Sequence, residues 1–372
     1  MPSDPSSTGI SRRRFAKAGL ALSATAGFGL PAPAIAQGAT LRYTLSWVPA
    51  GGSAYIYVAR RLGLWKRRGI EVEISRGYGS LAAIQAVSQR RFDIGNAGTG
   101  VAILSLLKGL DIKLVNISSY DAGIGIIVPE SSAIKTPADL AGHTVGATAA
   151  GSDTPFLAPY FKRVGLPDGS VTITYLDPQI IEQAVISGRV DAQVAVATSS
   201  VPAYVTQGVA FRFFPVAAQG LGTYGGGAVA SSAFVAENPA LAADFSDGLL
   251  EGLKFALLNP EETQERFLRE HEEIAISPNA KRFASLGIGM GAASAIAPEA
   301  VEHSLGYADF AKLDEQAALI RDVFGKPGDK QPPPAASYAG FGLTDHIKLS
   351  AAEWQTARDK AAPFAGYLGR TV

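Results

Sequence analysis

Apolar positions along this chain fall in short blocks, and between the blocks they recur every three to four residues, the alternation expected of strands and helices in turn. The blocks predict strands at residues 41–46, 70–74, 93–96 and 112–117, with helices between them. A further apolar run at 123–128, bounded by Gly123 and Pro129, is where the chain can cross into a second lobe. A fresh series then begins with Pro137-Ala138-Asp139-Leu140 and Thr144-Val145-Gly146 and continues with strands at 171–175, 193–197 and 211–215. The glycine cluster from Gly220 to Gly227, ahead of the apolar residues 228–232, reads as a return crossover or as a surface loop. Beyond it the pattern is helical at 239–258 and 260–271, each stretch opening on a proline suited to a first helical turn. Residues 325–337, rich in proline and glycine, read as a surface loop, and no tandem repeat is present. The whole predicts a parallel α/β core with ligands at the carboxyl ends of its strands.

The strand-to-helix turns carry the candidate chemistry. The first strand ends in Trp47-Val48-Pro49-Ala50-Gly51-Gly52-Ser53 and the second in Gly77-Tyr78-Gly79-Ser80, so backbone N–H groups and flat rings can face one small object. Trp47 would stack on a flat ligand or cap an apolar tail, and Gly52 and Ser53 lie in the same turn. Of Tyr55 and Tyr57 on the next helix, spacing lets only one face inward. Tyr78, Gly79 and Ser80 form the second mouth, and Gly98-Thr99-Gly100 repeats the arrangement with the Thr99 hydroxyl at a helix start. Ser119-Tyr120-Asp121 precedes the first crossover, which makes Tyr120 a candidate in a closed form. In the second series, Gly151, Ser152, Asp153 and Thr154 lead into a helix. Exposed N–H groups there suit an anion, whereas Asp153 also suits a helix cap. Asp177, Thr198 with Ser199, and Tyr224 complete a ring of strand-end turns. The glycine spacings match neither a dinucleotide fingerprint nor a P-loop.

Composition narrows the classes. With 372 residues, 47% of them apolar, the chain can bury one large or two ordinary cores. Four basic residues and one acidic residue fall in positions 1–36, leaving 29 basic and 32 acidic in the body, without the electrostatic footprint of a nucleic-acid binder. Ser11-Arg12-Arg13-Arg14-Phe15-Ala16-Lys17, a weakly apolar stretch from 18 to 30, and Ala34-Ile35-Ala36 together resemble a twin-arginine export signal over residues 1–36, so the mature protein is expected in the periplasm. No later apolar run is long enough to span a bilayer. The absence of cysteine removes thiolate catalysis, disulfides and thiolate metal sites. His143, His271, His303 and His346 show no i, i+4 pair, so no metal site and no cofactor are expected.

Taken in order, Trp47-Val48-Pro49, Val58-Ala59 with Gly63-Leu64-Trp65, Gly69-Ile70-Glu71-Val72, Phe92-Asp93-Ile94-Gly95, Pro137-Ala138-Asp139-Leu140-Ala141-Gly142, Val145-Gly146 and Gly188-Arg189-Val190-Asp191-Ala192 resemble the solute-binding proteins of ABC importers, in the nitrate, sulfonate, taurine and thiamine-pyrimidine-precursor group. The resemblance runs over residues 40–260. It implies a two-lobed, hinged α/β architecture of the type II periplasmic binding class, with a helical C-terminal extension. The first lobe would comprise 37–125 and 223–372, and the second 126–222. It also implies a non-enzymatic role, closing on a small organic molecule and delivering it to a permease in the inner membrane.

Among the cleft candidates three carboxylates, Asp121, Asp153 and Asp177, face a single nearby cation, Arg76. That balance points to a neutral or amino-bearing flat guest such as a pyrimidine-like heterocycle, with a sulfonate, taurine or nitrate anion as the alternative. Other classes are a periplasmic sensor input, a pyrimidine-synthase-like enzyme and a transcriptional regulator. Such an enzyme's cysteine-rich iron site has no ligands here, no G-x-S-x-G nucleophile elbow is present, and an export signal occupies the place of a DNA-binding segment.

Overall fold

A computed structural model describes residues 38–339 and 346–372; the export-signal reading falls on residues outside these. Ten strands form two five-stranded sheets. β1 (Ala39–Thr44), β2 (Ile70–Ser75), β3 (Ile94–Gly98), β4 (Ile112–Ile117) and β10 (Gly226–Ser231) make the first, in the order β2-β1-β3-β10-β4. The second holds β5 (Ile124–Pro129), β6 (Thr144–Ala147), β7 (Thr172–Tyr175), β8 (Ala192–Val196) and β9 (Phe211–Pro215), in the order β7-β6-β8-β5-β9. The chain leaves the first sheet after Ile117, enters the second at Ile124, and returns between Pro215 and Gly226.

The expected all-parallel core is corrected to a mixed one. β10 runs antiparallel to β3 and β4, and β5 antiparallel to β8 and β9. These two are the strands that receive the chain from the other sheet. Each enters from the end at which its neighbours finish, and so runs against them. The two crossover segments lie side by side: Ser118 and Ser119 N–H groups donate to the Gly226 carbonyl, and Gly225 N–H donates to Ser119 O at 3.0 Å. A Cβ on Gly225 would stand 2.0 Å from Ser119 Oγ, so only glycine permits this pairing.

Six helices follow the strands: α1 (Ala54–Arg61), α2 (Ser80–Ser88), α3 (Thr99–Leu107), α4 (Leu157–Arg163), α5 (Ile181–Ile186) and α6 (Ala197–Thr206). After β10 come α7 (Ser232–Glu237), α8 (Pro239–Leu258), α9 (Pro260–Glu270), α10 (Glu272–Ala275), α11 (Ala280–Ala295), α12 (Pro298–Glu302), α13 (Phe310–Phe324), α14 (Ala335–Tyr338) and α15 (Ala351–Ala365). The segment expected as a loop at 325–337 is irregular up to Pro334, and α14 starts at Ala335. α11 reaches elements of both series: it packs on the Gly51–Ser53 turn and on α6. Glycine makes the first contact possible, since a Cβ on Gly51 would lie 2.3 Å from Ala284 O.

α15 closes the chain and starts on a capping box. Ser350 Oγ accepts from Glu353 N–H at 3.3 Å, and Glu353 Oε2 accepts from Ser350 N–H at 2.7 Å. Ser350→Ala is expected to cost about 1 kcal/mol; an unchanged urea midpoint would show that the helix start is held by packing alone.

Candidate functional site

The C-terminal ends of the strands converge on a cavity of about 200 Å³, the position where open α/β sheets take ligands. From the first sheet, the turn after β1 brings Ser46, Trp47, Gly52 and Ser53. Gly79 and Ser80 follow β2, Thr99 follows β3, and Ser118 and Ser119 follow β4. From the second sheet, Thr148, Gly151, Ser152 and Asp153 follow β6, and Thr198, Ser199 and Ser200 follow β8. Tyr224 and Gly225, on the return crossover, line it as well.

The two sides meet at glycines. A Cβ on Gly79 would fall 1.9 Å from Ala150 O, one on Gly98 would stand 3.3 Å from Ser152 Cβ, and one on Gly52 would stand 3.6 Å from Thr198 Cβ. The first of these is forbidden to any side chain, and Gly79 also holds φ +120°.

Several hydroxyls are used by the scaffold. Ser80 Oγ accepts from Gly98 N–H at 3.0 Å, and Thr99 donates its N–H and its hydroxyl to Gly225 O, both at 2.8 Å. Ser46 Oγ donates to Asn96 Oδ1 at 2.8 Å. α1, α2, α3 and α6 all begin at the cavity; the first N–H of α1 donates to Gly51 O, that of α3 to Gly225 O and that of α6 to Gly123 O, so it is the later N–H groups of each first turn that have no partner within their own helices. The positive ends of four backbone dipoles therefore face the space.

The charged lining is acidic. Asp121, Asp153 and Glu182 line the cavity, and no lysine, arginine or histidine is among its lining residues. Asp121 accepts from Gly123 N–H at 2.8 Å and faces Arg370 at 3.7 Å. Asp153, 7% exposed, accepts from Thr154 N–H at 3.0 Å, and burial pushes its carboxyl up to about 6 against hydrogen bonds that pull it down. Glu182 accepts from Ser200 Oγ at 2.8 Å, and burial raises it as well. Tyr224 donates to Glu299 at 2.8 Å, so its hydroxyl is held away from the cavity.

Of the residues picked from sequence, Trp47, Gly52, Ser53, Gly79, Ser80, Thr99, Gly151, Ser152, Asp153, Thr198 and Tyr224 are brought together around the cavity. Tyr78, Tyr120, Thr154 and Asp177 are not. Tyr78 is 64% exposed beneath the Arg76 guanidinium at 4.6 Å, which also takes that cation away from the site. Tyr120 donates to Tyr307 O at 2.6 Å and meets the Tyr224 ring edge-on at 5.5 Å. Thr154 donates to Thr148 O at 2.6 Å, and Asp177 accepts from Gln179 N–H in its own turn. Tyr55 is the inward tyrosine, with its hydroxyl 3.0 Å from Ser118 Oγ, while Tyr57 packs on Phe267 and His271. The sequence reading missed Asn96, Glu182, Ser200, Thr223 and the α11 residues Gly291 and Ala292. Only the last two left a signal, a run of small residues in one helix.

Known proteins match both the sequence and the fold. An aliphatic-sulfonates-binding protein of Escherichia coli (strain K12) is 31% identical over 110 residues, which are 29% of this chain and 34% of that protein. The chain thus aligns with about a third of that relative's length. Among solved structures, the alkanesulfonate-binding protein SsuA from Xanthomonas axonopodis pv. citri, bound to MOPS, superposes with TM-score 0.61 at 17% identity, covering 82% of this chain and 99% of that one. The periplasmic aliphatic sulphonate binding protein SsuA from Escherichia coli gives 0.59 at 19% identity, over 81% and 97%. At these identities the likeness is one of fold, the type II periplasmic binding protein fold. Residues 51–263, more than half of the chain, match the family described as NMT1/THI5 like, and the chain belongs to that family.

Proposed function

We propose that this protein is the periplasmic solute-binding component of an ABC-type importer, and that its guest is a small organic molecule with a sulfonate-type anionic head. One observation carries the reading: four helix starts and a set of hydroxyls converge on a cavity whose lining holds no cysteine, histidine or lysine. A sulfonate stays ionised at any ordinary pH and is matched by backbone N–H groups without a cationic side chain. The relatives named for sulfonate binding support the same head group.

The preference for a pyrimidine-like heterocycle drew on the scarcity of cations, and helix starts supply positive potential where no cation stands. The acidic lining still favours a second reading, an amino-bearing guest set against Asp121, Asp153 and Glu182. Trp47 fits either, as a flat wall for a ring or a lid on an alkyl group.

In this reading residues 37–125 and 223–372 form one jaw and 126–222 the other. The paired crossovers would absorb the rotation, and closure would create the surface a membrane permease reads. No helix of the described residues is long and apolar enough to cross a membrane. Isothermal titration with ethanesulfonate and with an aminopyrimidine tests the guest. Saturable ethanesulfonate binding is expected, and binding of the aminopyrimidine alone would transfer the site to the second reading.

A further inference from the structure

Two helices, one in each series, meet the outgoing crossover and pack on each other. α6 of the second series begins there, with Ala197 N–H donating to Gly123 O at 2.8 Å. α11, which follows the return strand, ends there, with Ser294 O accepting from Tyr120 N–H at 2.8 Å. The pair therefore runs antiparallel and leads away from residues 120–123. Their far ends join as well: Asn279, at the start of α11, donates through Nδ2 to the carbonyl of Thr206, the last residue of α6, at 3.0 Å.

Asn279 holds the N-cap position of α11, where an asparagine ordinarily accepts from its own helix, yet its side chain makes no capping bond. It serves the other helix instead. The Thr206 hydroxyl is spent on Pro202 O at 2.7 Å, and its carbonyl is one of those that a helix end leaves unpaired within the helix. Each end is also fixed to its own series. Gln264 of α9 donates to Lys281 O in the first turn of α11, and α6 is closed off at Gly208, with φ +70°, whose N–H donates to Val205 O. The bond thus joins two stiff helix ends.

Leverage makes this contact sensitive to the angle between the series. At the rise of an α-helix, Thr206 stands about 15 Å from the crossover along α6, and Asn279 about 22 Å from it along α11. A rotation of about 15° at the crossover would part the two ends by about 4–6 Å, beyond hydrogen-bond reach. Contacts at the pivot, such as Gly225 N–H on Ser119 O, would hardly lengthen.

We propose that α6 and α11 are the arms of the closing motion, one on each jaw, and that the Asn279–Thr206 bond is a tip clasp that sets how long the closed form lasts. The proposal rests on the two-jaw reading above and adds a kinetic consequence to it. The clasp forms only once the arms have met, so it resists opening and takes no part in first encounter. Asn279 is exposed and is not a lining residue of the cavity, so its effect reaches the guest only through closure.

Asn279→Ala is expected to release ethanesulfonate about two- to fivefold faster than wild type in stopped-flow displacement, with the association rate unchanged. A bond with a structural role alone would lower the melting temperature and leave both rates as they were, which overturns the clasp. A second arm uses the absence of cysteine from the chain. In the double variant Thr206→Cys, Asn279→Cys, a short bismaleimide is expected to join the two ends. The joined protein is then expected to take up ethanesulfonate at least about tenfold more slowly than the same protein before joining. Thiols that do not join, or uptake at the unjoined rate, overturn the proposal. If ethanesulfonate does not bind at all, the head-group reading falls by itself and the clasp is read from X-ray scattering of the unliganded protein. Asn279→Ala is expected to be more expanded than the joined protein, and equal radii overturn the clasp.

Discussion

Gly79→Ala is expected to weaken guest binding at least about 100-fold, a loss of about 2.7 kcal/mol or more. Two independent effects act at this position. The residue holds φ +120°, which costs an L side chain on the order of 1–3 kcal/mol. Its Cβ would also stand 1.9 Å from Ala150 O, and a backbone carbonyl between β6 and α4 cannot swing aside as a side chain end could. Gly79 follows β2 of the first sheet and Ala150 follows β6 of the second, so the clash falls where the two sides of the cavity touch. The clash therefore opposes the proposed closure, while the φ cost falls on folding. Titration should show the loss, and scattering with excess guest should show a variant that stays expanded where the wild type contracts. Wild-type affinity in the variant would mean that the 79–150 contact plays no part in the bound state.

That glycine was legible in the sequence, and its neighbour Tyr78 was misleading, for one physical reason. Close backbone approach excludes side chains and so marks the sequence with glycine, as at Gly79, Gly151 and Gly225, whose Cβ atoms would all collide with neighbours. An aromatic between two such glycines carries no equal constraint on direction, and Tyr78 turns outward to Arg76. Strand positions were legible because burial writes itself as apolar runs, and β4 and β9 have the expected limits. Strand direction leaves no such trace, so the antiparallel entries of β5 and β10 emerged only in three dimensions. Glu182 and Ser200 reach the cavity by the packing of α5 against α6, residues distant from any glycine turn.

Asp153 should make binding depend on pH, with a sign that separates the two guest classes. Its carboxyl titrates near 6 because burial disfavours the charged form. The other carboxylates on the lining are Glu182, also raised by burial and adding its own charge against Asp153, and Asp121, which faces Arg370. Above pH 6 a charged Asp153 repels an anionic head; below it the neutral acid does not. At separations of about 6–10 Å and an effective dielectric near 20, one such repulsion is on the order of 1.5–3 kcal/mol. Affinity for ethanesulfonate is therefore expected to rise about 10–30-fold between pH 7.5 and pH 5, and Asp153→Asn to bind at pH 7.5 as the wild type does at pH 5. An amino-bearing guest would show the opposite slope. The unliganded protein follows the same linkage. A folded pKa near 6 against an unfolded value near 3.8 means the native state binds the extra proton. The resulting stabilisation is complete below about pH 4 and is lost as pH rises through 6. Asp153→Asn, whose side-chain oxygen can still accept from Thr154 N–H, should then be more stable than wild type at neutral pH by up to about 3 kcal/mol. A flat pH profile for both affinity and melting temperature would place the Asp153 charge in solvent and return the acidic lining to an ordinary helix-capping role.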